Sequence, residues 1–259
     1  MLTALRHSDQ LKVLARQSDK ADAPFTCPTC TREVVLHKGN IRAHHFKHKP
    51  PVTCARGQGE TEQHLRAKLG IYDALALEPN VVDLELEKDF GISVADVYAR
   101  ISGTPVAIEI QRSKLSVADI CARTANYYKL GIAVLWVGLP DGELSREKYS
   151  PSAWERWCHA AYFGRVYYWD SGQVLRAAHF GAHRIYVEPT SWYESGGNER
   201  SAGGYERISK RYKTPHAGVP ALLSRSFRPI RKDPWAGGTV VVPECLLYVD
   251  IQPKWWKQG

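Results

Sequence analysis

The stretch VADVYARISGTPVAIEIQRS, at positions 94–113, most limits the folds that this chain can adopt. Residues 94–101 and 105–111 are rich in Val, Ile and Ala, the composition of paired β-strands. Between them, Ser102-Gly103 fits a two-residue hairpin turn. The sequence therefore predicts a β-hairpin that is mostly apolar but contains two acids and a glutamine.

The register of this hairpin decides where its polar side chains lie. A two-residue turn pairs Ile101 with Thr104, and counting back from that pair places Asp96 opposite Glu109. Because side chains alternate along a strand, Glu109 and Gln111 share one face of the sheet. A three-residue turn would shift the pairing by one and move Asp96 to the other face.

Two carboxylates that face each other across a strand pair repel, so the hairpin needs a compensating charge near Asp96 and Glu109. A divalent cation such as Mg²⁺ prefers oxygen ligands and would supply that charge. The alternative is a pair of solvated acids on an exposed sheet face, since short acidic patterns recur by chance. The pattern therefore leaves two hypotheses, a metal site and a pair of solvated acids.

The elements around the hairpin predict a compact α/β core. A helix is expected from about residue 60 to 77, followed by a strand near 81–88 and then by the hairpin. The segment LSVADICARTANYYKLG, 115–131, predicts a second helix with Ser116 as its N-cap. The apolar run IAVLWVGLP, 132–140, is typical of a strand buried on both faces. The predicted order is helix, three strands, helix, strand.

Beyond residue 140 the pattern changes. Residues 151–163 carry apolar side chains at helical spacing, and residues 165–180 predict a hairpin. From about 195 to 233 the chain is rich in Gly, Ser and Arg and poor in apolar residues, which predicts a mobile basic arm. Residues 239–251 predict one or two closing strands.

Cysteines and histidines cluster near the N-terminus. The motif CPTC places Cys27 and Cys30 where a knuckle would direct two thiolates at one centre. A second pair of ligands would complete the tetrahedron of a structural Zn²⁺. We expect His45 and His48 to be that pair, with Cys54 as the substitute for either histidine. The alternative, a knuckle-like turn without metal, is uncommon for this spacing.

The helix before the hairpin carries Glu60, His64 and Lys68 at intervals of four, so the three side chains line one face. Taken alone, this is an ordinary solvated helix face. Beside a hairpin with two acids, the same residues could supply a carboxylate that ligates a metal through water and two groups that meet a phosphate.

Composition limits the class of partner. The chain has 259 residues, a formal net charge of +8 and a pI near 9.2, which favours a polyanion. It contains no apolar run long enough to cross a bilayer, and its N-terminus lacks the apolar segment of a signal peptide. We therefore expect a cytoplasmic protein without a membrane partner. The six cysteines fit metal ligation and buried thiols better than a disulfide framework.

Several of these motifs occur together in one known family. The motifs CPTC, HHFKH, GETEQHLRAK, ADV, IEIQRS, DICARTANYY and GIAVLWV, in that order, resemble the competence protein CoiA family over about residues 1–140. Each motif alone is weak, but their coincidence is specific. The motifs that carry the resemblance end at about residue 140.

The resemblance implies a zinc-ribbon-like N-terminal module joined to a restriction-endonuclease-like core of the PD-(D/E)XK nuclease superfamily. Asp96 would then take the position of the metal-binding aspartate and Glu109 that of the second acid, with Mg²⁺ or Mn²⁺ as the catalytic ion. Gln111 stands where the superfamily more often has lysine. A lysine can activate water or stabilise charge, whereas a glutamine can only orient a group through hydrogen bonds.

The resemblance also implies roles for residues on the two helices. Glu60 would be an accessory acid, and His64 and Lys68 would lie near the scissile phosphate. On the second helix, Arg123 and Tyr127 match the family's spacing and would support the phosphate or the active site. Ordinary roles on the helix surface are the alternative for this pair.

We therefore predict an α/β protein with a mixed sheet and a restriction-endonuclease-like core. The predicted division is a zinc-ribbon-like module (1–58), a nuclease core (59–140), a helix and hairpin extension (141–194), and a basic arm with C-terminal strands (195–259).

The predicted function is metal-dependent hydrolysis of DNA phosphodiester bonds, in competence or recombination if the resemblance holds. Zinc would be structural, and Mg²⁺ or Mn²⁺ would be catalytic. Single- or double-stranded DNA is the expected partner, and recombination or helicase proteins stay open as further partners. The alternative is a non-catalytic DNA-binding protein that assists recombination on a nuclease-like fold, which Gln111 favours.

Overall fold

The computed structural model describes residues 1–40, 42–54, 56, 60–111, 115–140 and 142–257. The predicted boundary between residues 58 and 59 lies outside the described residues, as do Arg112 and Ser113 of the hairpin motif.

The N-terminal residues form an antiparallel sheet with a small core of its own. Its strands are β1 (Thr3–Arg6), β2 (Lys12–Leu14), β3 (Phe25–Thr26), β4 (Glu33–His37) and β5 (His45–His48). They lie in the order β2-β1-β3-β4-β5. Phe25, Val34, Leu36 and Phe46 are buried together beside Cys27. The short strands expected around the Cys/His cluster are thus confirmed.

The next part of the chain has the predicted order of helix, three strands, helix and strand. Its elements are α1 (Glu62–Leu75), β6 (Val81–Asp89), β7 (Val94–Ile101), β8 (Thr104–Gln111), α2 (Val117–Lys129) and β9 (Ala133–Gly138). Ser116 caps α2 by accepting a hydrogen bond from the backbone N–H of Asp119. Every residue of β9 is buried, as expected of a strand covered on both faces.

The hairpin has the register that its turn predicts. Ile101 pairs with Thr104, and the ladder continues in step, so Asp96 lies level with Glu109 on the neighbouring strand. The three-residue turn is therefore excluded. β9 runs parallel to β8 on its other side, which buries the strand that carries Glu109.

The sheet continues through the second half of the chain. The remaining elements are α3 (Ala153–Ala161), β10 (Val166–Ser171), β11 (Val174–Val187), β12 (Thr190–Tyr193), β13 (Glu199–Ala202), β14 (Tyr205–Leu222), β15 (Phe227–Lys232), β16 (Trp235–Gly237), β17 (Val240–Val242) and β18 (Cys245–Asp250), with short 3₁₀ helices at Lys20–Asp22, Glu143–Ser145 and Trp255–Lys257. The main sheet has the order β14-β11-β10-β9-β8-β7-β6, and β18, paired with β15, also contacts β9. β12 pairs with β13, and β16 pairs with β17.

These elements confirm the helix predicted at 151–163, the hairpin predicted at 165–180 and the closing strands predicted at 239–251. The mixed α/β class is likewise what the sequence predicts. None of the helices in the described part of the chain is both long enough and apolar enough to cross a membrane.

The expectation of a mobile arm over residues 195–233 is wrong. β14 pairs with β11 from Leu222 opposite Val174 to Tyr205 opposite Val187, so much of this segment is the edge strand of the main sheet. Backbone pairing holds a strand whose outer half has few buried side chains. A composition poor in apolar residues therefore reflects the exposure of a strand here and not the absence of one.

The ladder between β11 and β14 shifts register near His183. Ala182 pairs with Lys213 and Arg184 pairs with Ile208, so residues 209–212 bulge opposite a single residue. The bulge carries two exposed cationic side chains, Lys210 and Arg211.

Candidate functional site

Asp96 and α1 form one half of the candidate site. The carboxylate of Asp96 accepts a hydrogen bond from the backbone N–H of Ile110 (2.9 Å). It also lies 3.2 Å from Nε2 of His64 and 2.8 Å from Nζ of Lys68. Burial alone would raise the pKa of Asp96, but Lys68 and His64 hold that pKa well below its usual range. Asp96 is therefore an ionised carboxylate at neutral pH.

Lys68 is buried among three acids. Its ammonium group contacts Asp96, Glu60 and Glu87 (3.3 Å), and only 3% of its side chain is exposed. Burial would lower the pKa of Lys68, but the three carboxylates raise it well above its usual value. The fold brings Glu60, His64 and Lys68 to one place, and the alternative of a solvated helix face is wrong for Lys68.

Glu87 belongs to the same group, although nothing in its local sequence marks it. The register of β6 on β7 places Glu87 level with Asp96, so adjacent strands present Glu87, Asp96 and Glu109 in a row. The Glu87 carboxylate accepts hydrogen bonds from the backbone N–H groups of Leu2 (2.8 Å) and Thr3 (3.0 Å). Burial would raise its pKa, but nearby cations lower that pKa to about 2. We call Glu87, Asp96 and Glu109 the acidic row.

Glu109 and α2 form the other half of the site. The Glu109 side chain is 1% exposed, and its Oε1 accepts hydrogen bonds from the guanidinium of Arg123 and the hydroxyl of Tyr127. Burial raises the pKa of Glu109 to about 7, a shift that Arg123 opposes and the charge of Asp96 increases. Arg123 and Tyr127, predicted as supporting residues, thus contact this acid directly.

The two opposed acids are compensated within the protein. Lys68 and His64 lie against Asp96, and Arg123 lies against Glu109. These cations reduce the repulsion that the sequence predicts, while the charge of Asp96 still helps to raise the pKa of Glu109. The alternative of two solvated acids is excluded, because the side chains of Asp96 and Glu109 are 16% and 1% exposed.

The site also offers oxygen atoms of the kind that bind divalent cations. Arg123 and Tyr127 both donate to Oε1 of Glu109, so neither of them occupies Oε2. The ionised carboxylate of Asp96 lies level with it on the next strand. Hard oxygen donors suit Mg²⁺ or Mn²⁺, so the donor set fits such an ion. Gln111 lies on the same strand as Glu109 and is buried.

A second group of side chains, in the N-terminal module, can hold a metal ion such as zinc. One ligand atom from each of Cys27, Cys30, His48 and Cys54 lies within 4.8 Å of all the others. Sγ of Cys30 is 3.3 Å from Nε2 of His48. Three sulfur atoms and one imidazole nitrogen are a donor set typical of structural zinc. Burial raises the pKa of the Cys27 thiol to about 11, and a bound metal ion would favour the thiolate instead.

His45 lies apart from this group. Its Nδ1 is 2.9 Å from the backbone carbonyl of Ala43, and its ring stacks on His37. His45 and His48 are three residues apart on β5, so their side chains point to opposite faces of the strand. Cys54, the predicted substitute, therefore completes the group of four ligands in place of His45.

The N-terminal module is attached to the acidic row. Arg56, two residues after Cys54, donates hydrogen bonds to Oγ1 of Thr3 (3.2 Å) and to the backbone carbonyl of Glu87 (3.0 Å). Together with the bonds from the first strand to the Glu87 carboxylate, these contacts fix the module against β6.

Two family models match parts of this chain. Residues 60–160 match the family model of the nuclease-like domain of competence protein CoiA, and residues 8–56 match that of its N-terminal domain. The competence protein CoiA of Bacillus subtilis (strain 168) is 29% identical over 121 residues, which cover 44% of this chain and 31% of that protein. The match therefore spans about a third of the length of this relative. No solved structure matches the chain significantly.

Proposed function

The chain belongs to the competence protein CoiA family, and from that premise we propose that it is a metal-dependent deoxyribonuclease acting in DNA processing. Its active site would be formed by Asp96 and Glu109, which lie within the nuclease-like domain. The context would be competence or recombination, in keeping with the name of the family.

The proposal includes a restriction-endonuclease-like fold of the PD-(D/E)XK type. Its support is the succession of α1, the antiparallel strands β6 to β8, α2 and then β9 parallel to β8. The two acids occupy the second and third strands of this unit, and Gln111 follows Glu109 at the position that more often carries lysine.

One observation carries the proposal: two buried carboxylates face each other while their surroundings move their pKa values in opposite directions. Asp96 is held ionised by Lys68 and His64, whereas burial raises the pKa of Glu109 to about 7. Paired acids with separated pKa values are typical of catalytic sites.

Asp96, Glu109 and the backbone carbonyl of Ile110 are the groups that would hold Mg²⁺ or Mn²⁺. When bound, such an ion polarises the phosphate and lowers the pKa of the attacking water. The chain itself supplies the positioning, because Lys68 holds Asp96 and Arg123 holds Glu109. Tyr127 adds a second hydrogen bond to Glu109.

We propose that some residues at or next to α1 contact the substrate and that others position the catalytic acids. His64 is 17% exposed, whereas Lys68 is 3% exposed. We assign to His64 a contact with the phosphate or the attacking water, and to Lys68 the positioning of Asp96. Glu60 would act as an accessory acid through Lys68, and Gln111 would orient a reacting group by hydrogen bonds.

DNA affinity would come from charge outside the active site. The chain carries a net charge of +8, and the exposed cations of the β14 bulge take the place of the expected flexible arm. Such contacts bind the backbone without reading sequence. The cluster of Cys27, Cys30, His48 and Cys54 would hold a structural zinc, because four protein ligands leave no open position for water.

A second function, DNA binding without cleavage in support of recombination, is favoured by a specific observation. Both acids already have cationic partners, and the neutral Gln111 lacks the charge with which a lysine can activate water. A site of this kind could persist as a structural remnant.

The deciding experiment compares the wild type with Asp96→Ala on circular and linear DNA, single- and double-stranded, with Mg²⁺ or Mn²⁺. The proposal expects cleavage by the wild type that the substitution abolishes. An exposed acid on the β14 edge, changed in Glu206→Gln, is the control and should cut normally. If none of the proteins cuts any DNA while all bind it, the second function stands instead.

A further inference from the structure

The N-terminal sheet carries a cleft on the face that points away from its core. The cleft has a volume of about 860 Å³, within the range of ligand-binding pockets. It is lined by residues of β4 and β5, by Lys20, Ala23 and Phe25, and by residues 38–40, 42 and 43 between the two strands. We call this site the basic cleft.

The cleft concentrates positive charge. Four cations line it, namely Lys20, Lys38, Arg42 and Lys47. In the described ranges of the chain none of the four forms an ion pair, whereas the acid at the rim, Glu33, is 2.5 Å from Lys49. Asp19 interacts electrostatically with Lys38 and Lys20, but the lining, with four cations and one acid, keeps a net positive charge that suits a polyanion.

Two aromatic rings lie among these cations. His37 and His45 are paired across β4 and β5, and their rings stack with centroids 5.2 Å apart and planes 14° from parallel. The bond between Nδ1 of His45 and the carbonyl of Ala43 fixes the orientation of the ring. Burial, and then His45 and Lys47, lower the pKa of His37, so its ring is neutral at pH 7. A flat pair of rings with a fixed orientation is a platform for a planar base.

The metal cluster and the basic cleft use opposite faces of one strand. On β5, Phe46 and His48 point inward, to the core and to the cysteines, whereas His45 and Lys47 point into the cleft. Fixing His48 therefore also fixes the platform. His45 therefore has a fixed ring orientation although it lies outside the metal cluster.

The cleft adjoins the candidate active site. The backbone N–H of Ala43, which lines the cleft, donates to both carboxylate oxygens of Glu62 at 3.1 Å. Glu62 is in the first turn of α1, two residues before His64, which contacts Asp96. A chain lying in the cleft would thus leave it near the acidic row.

We propose that the basic cleft binds single-stranded DNA, with a base stacked on His37 and His45 and the phosphates held by the surrounding cations. The inference rests on the proposed nuclease function and names the strandedness of its substrate. Unpaired bases can present their faces to a protein, whereas the bases of a duplex are stacked on each other. Cations alone would hold either form, so the stacked rings favour the single strand.

The test measures binding, by fluorescence anisotropy, of a labelled oligodeoxythymidylate and a duplex of equal length. No divalent metal is added, so that cleavage does not interfere. The variants are His37→Ala and Lys47→Ala in the cleft, with Lys254→Ala, an exposed lysine near the C-terminus, as the matched control. Zinc content and circular dichroism confirm that each variant is folded.

We expect His37→Ala to weaken single-strand binding about five-fold or more. Lys47→Ala should reduce the salt slope of log K by about 0.7, the value for one phosphate contact on a single strand. Both variants should lower duplex binding less than single-strand binding, and the control should match the wild type. Thymidine monophosphate should compete poorly.

Three results would overturn the inference: both variants binding single strands as the wild type does, equal losses on duplex and single strand, or full competition by the mononucleotide. Each is independent of cleavage. If the variants lose single-strand binding and the wild type never cuts, the cleft stays assigned and the nuclease proposal is refuted. If the variants bind normally and the wild type cuts, the nuclease proposal stands and the cleft assignment is refuted.

Discussion

Replacing Lys68 by methionine removes the cation at the centre of the acidic row without leaving a large cavity. In the wild type its ammonium group lies 2.8 Å from Asp96 and 3.3 Å from Glu87, and it also contacts Glu60. The Lys68→Met variant keeps most of the side-chain volume but leaves these carboxylates without their shared partner. We expect a large loss of stability.

The size of the stability loss depends on which carboxylate is left with the least compensation of its charge. Glu87 keeps hydrogen bonds from Leu2 and Thr3, so the uncompensated charge is mainly that of Asp96. Removing one partner of a buried ion pair costs about 3–5 kcal/mol. For a chain of this size that cost lowers Tm by about 6–20 °C. Added Mg²⁺ should restore part of the loss in the variant and change the wild type less, because a cation then returns to Asp96.

Thermal unfolding followed by circular dichroism, at neutral pH with and without Mg²⁺, measures this effect. Lys129→Met, which removes an exposed lysine from the last turn of α2, is the matched control and should stay within about 1 kcal/mol of the wild type. A Lys68→Met protein that melts with the control would refute the buried, charge-compensated site described for the acidic row.

Three further outcomes are expected. Cys27→Ser should lose the zinc that elemental analysis finds in the wild type, at about one per chain, and should lower Tm; wild type purified without chelator but free of zinc would contradict the assignment. Burial, followed by the charges of His179 and Lys213, lowers the pKa of His159 from its ordinary 6.5 to about 4. Between these two pH values the unfolded chain binds more protons than the folded chain, so stability should fall as the pH drops from 6.5 to 4. His159→Gln should remove up to about 3 kcal/mol of that pH dependence, and an unchanged pH profile of urea unfolding would refute the cause given. Lys210→Ala with Arg211→Ala should weaken DNA binding equally for all sequences and flatten its salt dependence, whereas a sequence-dependent loss in a filter-binding assay would exclude backbone contacts.

Local patterns were sufficient to predict the core of the fold. A two-residue turn at Ser102-Gly103 gives the register that places Asp96 level with Glu109, and the structure decides for it over the three-residue turn. The apolar run of β9 and the cap at Ser116 likewise depend on neighbouring residues only. Such features are encoded in a short stretch, so they can be predicted without knowledge of the rest of the chain.

What was missed depends on contacts between distant segments. Glu87 is one of several charged residues in β6, and nothing in that strand distinguishes it from a solvated acid. It is buried because the N-terminal module packs over it. Lys68 resembles a solvated helix residue until β6 and β7 surround it. β14 has an exposed composition and is ordered by pairing with β11.

The sequence contains a signal that distinguishes His45 from Cys54 as the fourth metal ligand. His45 and His48 are three residues apart, so a strand directs them to opposite faces, and only a helix or an irregular turn would bring both to one ion. Once the segment is predicted as a strand, Cys54 becomes the better candidate. The choice between the two depended on local secondary structure, which the CxxC spacing does not reveal.

The central claim is that Asp96 and Glu109 together hold the ion that cleaves DNA, and the most direct test is metal-dependent cleavage by isosteric variants. Asp96→Asn and Glu109→Gln are assayed on single-stranded circular DNA with Mn²⁺ or Mg²⁺, beside wild type and Glu206→Gln, while anisotropy confirms that all four bind DNA. We expect the wild type and Glu206→Gln to cut and both acid variants to lose cleavage by two orders of magnitude or more, about 2.7 kcal/mol in activation free energy. Cleavage at the wild-type rate by either acid variant would place the activity elsewhere and contradict the account.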